Sequence, residues 1–346
     1  QADNHSWNLA LSGALSPMWQ HRLSLGQSYE KLDTPAYASI YGSRRNSLDW
    51  SNTLALNKGT MAFGVNASKE SGYSNSWSGP EFKETRDNHG VFGVWNGSFG
   101  RQSLELASRW DDNSQFGNRL TSSAAWVLQA SPDSRWRASW GQGFRAPNFN
   151  ELYYPGFFGS FGGNPNLDPE RSQSLEIGYS HAFTETFRAD FSAYRSRIDD
   201  LIAFEGVNNQ AINIQQARIG GAEAELSGTA GAWQWRTQGT WTQAVNETTG
   251  NALLRRPKTK GLIDVRYRFN GGTELGLEVS GTGKRPDFGG VLPGYGRIDM
   301  IASWPMADRW RLEGRLENLA DRDYQLVDGY ATPGRSLFLR LNYLPE

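Results

Sequence analysis

Five aromatic residues, Tyr153, Tyr154, Phe157, Phe158 and Phe161, crowd a stretch punctuated by glycine, with Asn148, Asn150 and Glu151 just upstream. Such rings stack on a flat, partly apolar ligand while amides and a carboxylate orient it, although for any single ring packing against neighbouring loops is the commoner use. Glu170, Arg171 and Glu176 follow, and they read first as a structural charge network at a rim or on a polar wall. Arg255, Arg256, Lys258 and Lys260 could attract an anionic group on a ligand or a lipid phosphate, with a solvated rim as the stronger reading. Asp321, Asp323, Tyr324 and Tyr330 form a last cluster, open to ligand contact or to loop packing.

None of these groups has the pattern of a catalyst. His5, His21, His89 and His181 stand apart from one another, so they form neither a metal-binding pair nor a local triad, and no Cys is present. The GxGxxA run at 141–146 is followed directly by Pro147 and by no helical periodicity, which argues against a dinucleotide fold. Gly281-Thr-Gly-Lys284 lacks the Ser or Thr that a phosphate loop needs, because Arg285-Pro286 follows it. Asp111-Asp112-Asn113 ahead of Gly117 only weakly matches a calcium loop. We therefore expect no catalytic residue, no metal site and no cofactor. With 35 Lys and Arg against 36 Asp and Glu, and no basic run, nucleic acid is not an expected partner.

The elements that must carry these residues have a period of two. Leu337, Leu339, Leu341 and Tyr343 alternate with Ser336, Phe338, Arg340 and Asn342, and Ile263, Val265, Tyr267 and Phe269 alternate with Asp264, Arg266 and Arg268. Tight turns such as Ser16-Pro17-Met18, Asn57-Lys58-Gly59 and Asn270-Gly271-Gly272 occur at every second junction. Between them run longer connections, over roughly 32 to 43, 72 to 87, 111 to 119, 145 to 172, 206 to 211, 246 to 256, 285 to 294 and 320 to 334. No apolar run approaches the ~18 residues of a spanning helix, so residence in a membrane would have to be as strands. The reading is an all-β, transmembrane antiparallel β-barrel occupying 1–346 as a single domain, with about 17 strands of roughly 9 to 15 residues. Trp50, Trp110, Trp136, Trp233, Trp241, Trp304, Trp310 and Tyr343 fall near strand ends, as interfacial girdles require. Pro147 ends the pairing of its strand and sends the 28-residue connection at 145–172 over the mouth.

The motifs agree with this architecture. Gly141-Gln-Gly-Phe144-Arg145-Ala-Pro147 with Glu151-Leu-Tyr153, then Gly163-Asn-Pro-Asn-Leu-Asp-Pro-Glu170 leading to Glu176, resembles conserved blocks of TonB-dependent outer-membrane receptors. Arg255-Arg256-Pro-Lys258, and Asn318-Leu-Ala-Asp-Arg-Asp-Tyr324 with Gly329-Tyr330-Ala-Thr-Pro-Gly334-Arg335, are similar to further blocks of that family. Asp200-Leu-Ile and Ala217-Arg-Ile-Gly-Gly-Ala-Glu223-Ala are similar to paired strands of its vitamin B12 (cobalamin) branch. The resemblance runs from about 134 to 343, and residues 1–133 agree in pattern only.

It implies an odd-numbered, C-terminal portion of a 22-stranded barrel of the Gram-negative outer membrane, without the plug domain and about five strands. The ending Tyr343-Leu-Pro-Glu346 departs from the usual final aromatic. It further implies capture of a scarce nutrient at the extracellular loops, most simply cobalamin, with a siderophore or haem as the alternative ligand and a plugless passive pore as the alternative function. The implied partners are outer-membrane lipid and lipopolysaccharide, the small-molecule nutrient, and TonB through the absent N-terminal region.

Overall fold

The computed structural model of the chain describes every residue except 77–78, 157–158, 206–207, 308 and 344–346, and for Tyr37 and Pro80 the backbone alone. The strands are β1 (Ala2–Ser16), β2 (Trp19–Thr34), β3 (Ser39–Leu56), β4 (Gly59–Ser76), β5 (Gly79–Phe99), β6 (Gln102–Asn113), β7 (Gly117–Gln129) and β8 (Ser134–Arg145). A one-turn helix, α1 (Phe149–Tyr153), precedes β9 (Glu170–Thr184), β10 (Phe187–Glu205), β11 (Gln210–Ala230), β12 (Trp233–Asn246), β13 (Thr259–Arg268) and β14 (Glu274–Thr282). A small hairpin of β15 (Arg285–Asp287) and β16 (Gly290–Leu292) comes before β17 (Tyr295–Ala307), β18 (Trp310–Glu317) and β19 (Ser336–Tyr343). All but the hairpin belong to one antiparallel sheet of 17 strands.

Three expected connections are corrected. The segment 72–87 is mostly strand, with Ser71 opposite Thr85 and Tyr73 opposite Lys83. Its Ser, Asn and Lys residues hide the apolar alternation, but backbone pairing needs no apolar side chains and simply continues past the apolar band. The segment 285–294 contains the β15–β16 hairpin, in which Asp287 faces Gly290. The 145–172 connection contains α1, too short a helix to leave a 3.6-residue signature.

The chain divides into two compact units, the first comprising Gln1–Leu128, Ala138–Leu175 and Arg197–Ala217, the second Gln129–Arg137, Glu176–Ser196 and Arg218–Glu346. In the first unit, register aligns Leu11, Leu23, Trp50, Val65, Val91, Trp110 and Leu120 into one rung across seven strands. Every member is exposed, from 39% at Leu23 to 67% at Leu11. A continuous apolar rung of this kind is out of place in water and suits hydrocarbon. The opposite face is charged: Arg45, Glu70 and Arg86 lie in register, and Glu70 pairs with Arg45 at 3.2 Å and with Arg86 at 2.8 Å.

The second unit repeats the division. Trp235, Val265, Leu277, Met300, Leu316 and Leu337 form an apolar rung across six strands. On its other face Asp264, Glu278 and Asp299 align, and Arg315 reaches Asp299 at 2.9 Å and Glu278 at 3.3 Å. Aromatic rings gather at the ends of strands near the tight turns, including Trp136 on Tyr179 (4.6 Å between centroids), Trp233 on Tyr267 (4.8 Å) and Trp310 on Tyr343 (5.0 Å). These are the rings expected of an interfacial girdle.

Candidate ligand-binding loops

In the first unit, β8 stops at Arg145 because Pro147 offers no N–H to a neighbouring strand. Pro147 is buried, and Arg86 of β5 donates to its carbonyl at 2.8 Å while holding Glu70. The same guanidinium lies over Phe149 (5.2 Å) and Phe116 (5.9 Å), so one buried cation ties the strand wall to the loop above it. Asn148 starts α1 with a reciprocal cap: its Oδ1 accepts from the Glu151 N–H, and its own N–H donates to the Glu151 carboxylate, both at 2.8 Å.

Arg145 then gathers the two motif carboxylates. Its Nη1 meets Glu151 at 2.9 Å and its Nη2 meets Glu170 at 2.7 Å, while Glu170 also accepts the Ile202 N–H at 2.9 Å. Arg171 reaches Asp200 at 2.6 Å, and Asn213 clamps Asp168 through both its amide atoms at 2.9 Å. Beneath these bonds sits a small core of Leu152, Leu167, Ile202 and Ala211, packed against Phe116, Tyr153 and Phe204. Asn148, Glu151 and Glu170 are thus engaged in building the loop.

The aromatics divide. Tyr153 packs on Phe82 (5.9 Å) and its hydroxyl accepts from Gln115 at 2.8 Å. Phe161, at a left-handed φ of 60°, packs on Phe204 at 6.4 Å and is 41% exposed. Phe157 and Phe158 lie outside the described residues. Tyr153 and Tyr154, with Pro155, Pro165, Asn208 and Gln210, border a cavity of about 460 Å³ between the loop and the approach to β11. Burial, assisted by the Glu81 carboxylate, raises the Tyr154 hydroxyl pKa, so it stays a neutral donor at ordinary pH. Among the described residues that line the cavity there is no Lys, Arg, Asp or Glu.

In the second unit the remaining motif residues are placed. Glu176 meets Arg137 at 3.5 Å on the polar face of the strands. Arg255 pairs with the buried Asp287 at 2.9 Å and covers Phe288 (5.0 Å), whereas Arg256 is exposed. Asp287 also accepts the backbone N–H groups of Phe288 (2.8 Å) and Asp328 (3.0 Å), which joins the β15–β16 hairpin to the 320–334 loop. Arg285, also buried, donates to the carbonyls of Gln325 and Leu326.

Asn318 caps the start of the 320–334 loop by accepting from Arg322 N–H at 2.8 Å and donating to its carbonyl at 3.0 Å. A Cβ at Gly334 would approach Asp321 Oδ1 to 2.9 Å, so a larger residue there would displace the oxygen that accepts the Arg335 N–H. Tyr324 stacks on Tyr295 at 4.4 Å, and Tyr330 is 71% exposed. Among the described residues no three or more His, Asp or Glu groups are placed to hold a metal ion, and Asp111 is bound to Arg109 at 2.6 Å.

Sequence reasoning missed Arg86, Asn213, Arg285 and Asp287. Arg86 and Arg285 fall in segments that read as loop, and each stands among other charges, Arg86 with Lys83, Glu84 and Asp87 and Arg285 with Lys284 and Asp287, so no local signal marks them out.

Strands with one apolar and one charged face, tight turns at one end and built loops at the other define an outer-membrane β-barrel protein. The family model described as TonB dependent receptor-like, beta-barrel, matches residues 1–319, and the chain belongs to that family. Its fold is similar to the copper transporter OprC (16% identity, 98% of this chain and 65% of that chain, TM-score 0.79). Also similar are the FrpB iron transporter from Neisseria meningitidis (16%, 98% and 62%, TM-score 0.77) and the siderophore receptor PirA from Acinetobacter baumannii (15%, 99% and 62%, TM-score 0.78). The chain therefore spans a little under two thirds of the length of these proteins. Proteins of this family are receptors and transporters of the Gram-negative outer membrane.

Proposed function

We propose that the chain is the ligand-capturing barrel portion of an energy-coupled receptor and that its nutrient is a corrinoid of the cobalamin type. The observation that carries this reading is the uncharged cavity under Tyr154, lined by aromatic rings, prolines and the amides of Asn208 and Gln210. A corrinoid presents a flat macrocycle edged with neutral amides, which rings and amides can match without a desolvated counter-charge. The similarity of the segments at 200–202 and 217–224 to the cobalamin branch points the same way. The barrel would occupy 1–346 as a single domain, and import would be driven through TonB and a plug domain acting with it. Lipopolysaccharide would contact the basic rim at Arg256.

The second reading is a metal or siderophore receptor, favoured by the copper, iron and siderophore cargo of OprC, FrpB and PirA. An anionic ferric chelate would call for cations, and the described lining of this cavity carries none. Titration calorimetry with cyanocobalamin, ferric siderophores and haem in detergent separates the two. Saturable heat from cyanocobalamin, weakened about tenfold (~1.4 kcal/mol) by Tyr154→Ala, is the expected result. Heat from a ferric siderophore alone would assign the chain to the second reading.

A further inference from the structure

Asparagine is followed by glycine at two places in the chain, Asn96-Gly97 and Asn270-Gly271. In such a pair the backbone nitrogen of the glycine can attack the asparagine side-chain carbonyl, because no β-carbon shields it and the glycine torsions are free. The attack asks three things of the fold: a glycine N–H without a hydrogen bond, a backbone loose enough to bring the two atoms together, and water. The two pairs differ in all three.

Asn96 and Gly97 lie inside β5, which is paired on both sides. Register sets Gly97 opposite Gly59 of β4 and opposite Leu104 of β6, and in a central strand each N–H belongs to one ladder or the other. Gly97 is buried, and a Cβ on it would run into the rings of Trp95 and Phe99. Attack there first requires the ladder to open.

Asn270 and Gly271 form the tip of the tight turn between β13 and β14. The turn is closed around them by the Phe269 N–H on the Thr273 carbonyl (2.8 Å) and the Gly272 N–H on the Phe269 carbonyl (3.1 Å), and beside them by Arg268 on Glu274 (3.1 Å). Among the described residues neither the Gly271 N–H nor the Asn270 amide has a partner. Both residues are exposed, Gly271 stands at a left-handed φ of 98°, and a Cβ built on it meets nothing within 4 Å. Tight turns face the periplasm, so water reaches this one.

We propose that Asn270 is a site of spontaneous deamidation. Hydroxide takes the Gly271 amide proton, the nitrogen bonds to Asn270 Cγ, and the bond from Cγ to the side-chain nitrogen breaks with release of ammonia. Water then opens the cyclic imide at either of its carbonyls, which leaves an aspartate or an isoaspartate at position 270. The sequence of steps consumes water and needs no other reactant. The aspartate form sets a carboxylate two residues from Arg268, in competition with Glu274, and the isoaspartate form adds a methylene to the backbone inside the turn. Either product weakens the bonds that close the β13–β14 hairpin.

The test follows the natural chain, folded in detergent, through incubation in mildly alkaline buffer, with peptide mapping by mass spectrometry; a second sample is held unfolded in urea. In the folded chain the acid forms should accumulate at Asn270 about tenfold faster than at Asn96 or more, the ratio set by ~1.4 kcal/mol of strand opening. In urea the two pairs should react at similar rates, because the ladder that separates them is gone. Asn57-Lys58, at the exposed tip of another tight turn, is the control for exposure and should lag Asn270 in both samples, since the Lys58 side chain crowds the attacking nitrogen. Equal rates at Asn96 and Asn270 in the folded chain, an Asn270 still intact once Asn57 has reacted, or a preference for Asn270 that survives in urea would each overturn the proposal.

Discussion

Arg145 joins α1 to the start of β9 in the first unit. It neutralises two carboxylates that are each only 14% exposed, so its removal leaves Glu151 and Glu170 facing one another without a cation. Arg145→Ala should loosen α1 and the start of β9 by about 2 kcal/mol, a ~30-fold faster hydrogen exchange at the amides of 149–153, without unfolding the strands. Unchanged exchange would show that the cap at Asn148 holds the turn unaided.

Asp287 makes a prediction of opposite origin. Burial alone would raise its pKa, but the Asp328 N–H, the Arg255 guanidinium and the Phe288 N–H together hold it below the ordinary value of 3.8. A depressed folded-state value stabilises the loop above 3.8, and that contribution is lost as the pH falls through the lowered value. Protection of the Asp328 amide, corrected for intrinsic exchange, should therefore collapse on acidification below 3.8 in the natural chain and show no such step in Asp287→Asn.

Among the elements, α1 is positioned by contacts its own sequence does not contain. A helix of five residues cannot sustain itself, so its order comes from the cap and from burial of Phe149 and Leu152. Phe149 fits only because Gly72 of β4 has no side chain: a Cβ there would come within 2.5 Å of the Phe149 ring. Gly72→Val is expected to expel Phe149 and to abolish ligand binding at the cavity beside Tyr154, while Asn148→Ala should cost only about 1 kcal/mol of loop stability. Calorimetric titration of both variants distinguishes the two effects. The strand elements behave differently, since their alternation is repeated by neighbours on either side. This is why the 17 long strands are legible from the sequence and only their outer ends are not. Past the apolar band the polar residues of 72–87 carry no alternation to read, although the backbone pairs on.

For the molecule as a whole, the rungs decide stability in a bilayer. Leu277→Arg places a charge in the middle of a six-strand apolar rung and should cost about 2–4 kcal/mol of folding free energy in vesicles. Phe338→Arg, on the opposite face where Arg315 and Arg340 already stand, should cost less than about 1 kcal/mol. Urea titration of the two variants in lipid vesicles measures the difference, and equal costs would mean that the assignment of the faces is wrong. The same division explains why an exposed apolar surface this large accompanies an almost balanced charge of 35 against 36. Hydrocarbon covers one face, and paired charges cover the other.

The sequence by itself determined the period-two strands, the tight turns at alternate junctions, the two-faced sheet and the family motifs, because each is a property of neighbouring residues. It also placed the aromatic crowd at 153–161 in a loop. Only the tertiary structure decided what the motif charges do. Arg145 finds a carboxylate 25 residues on, Arg255 one 32 residues on, and the last loop is held by an aspartate 41 residues before Asp328. Pairing partners and cross-strand register depend on how distant segments meet, and no local pattern encodes that meeting.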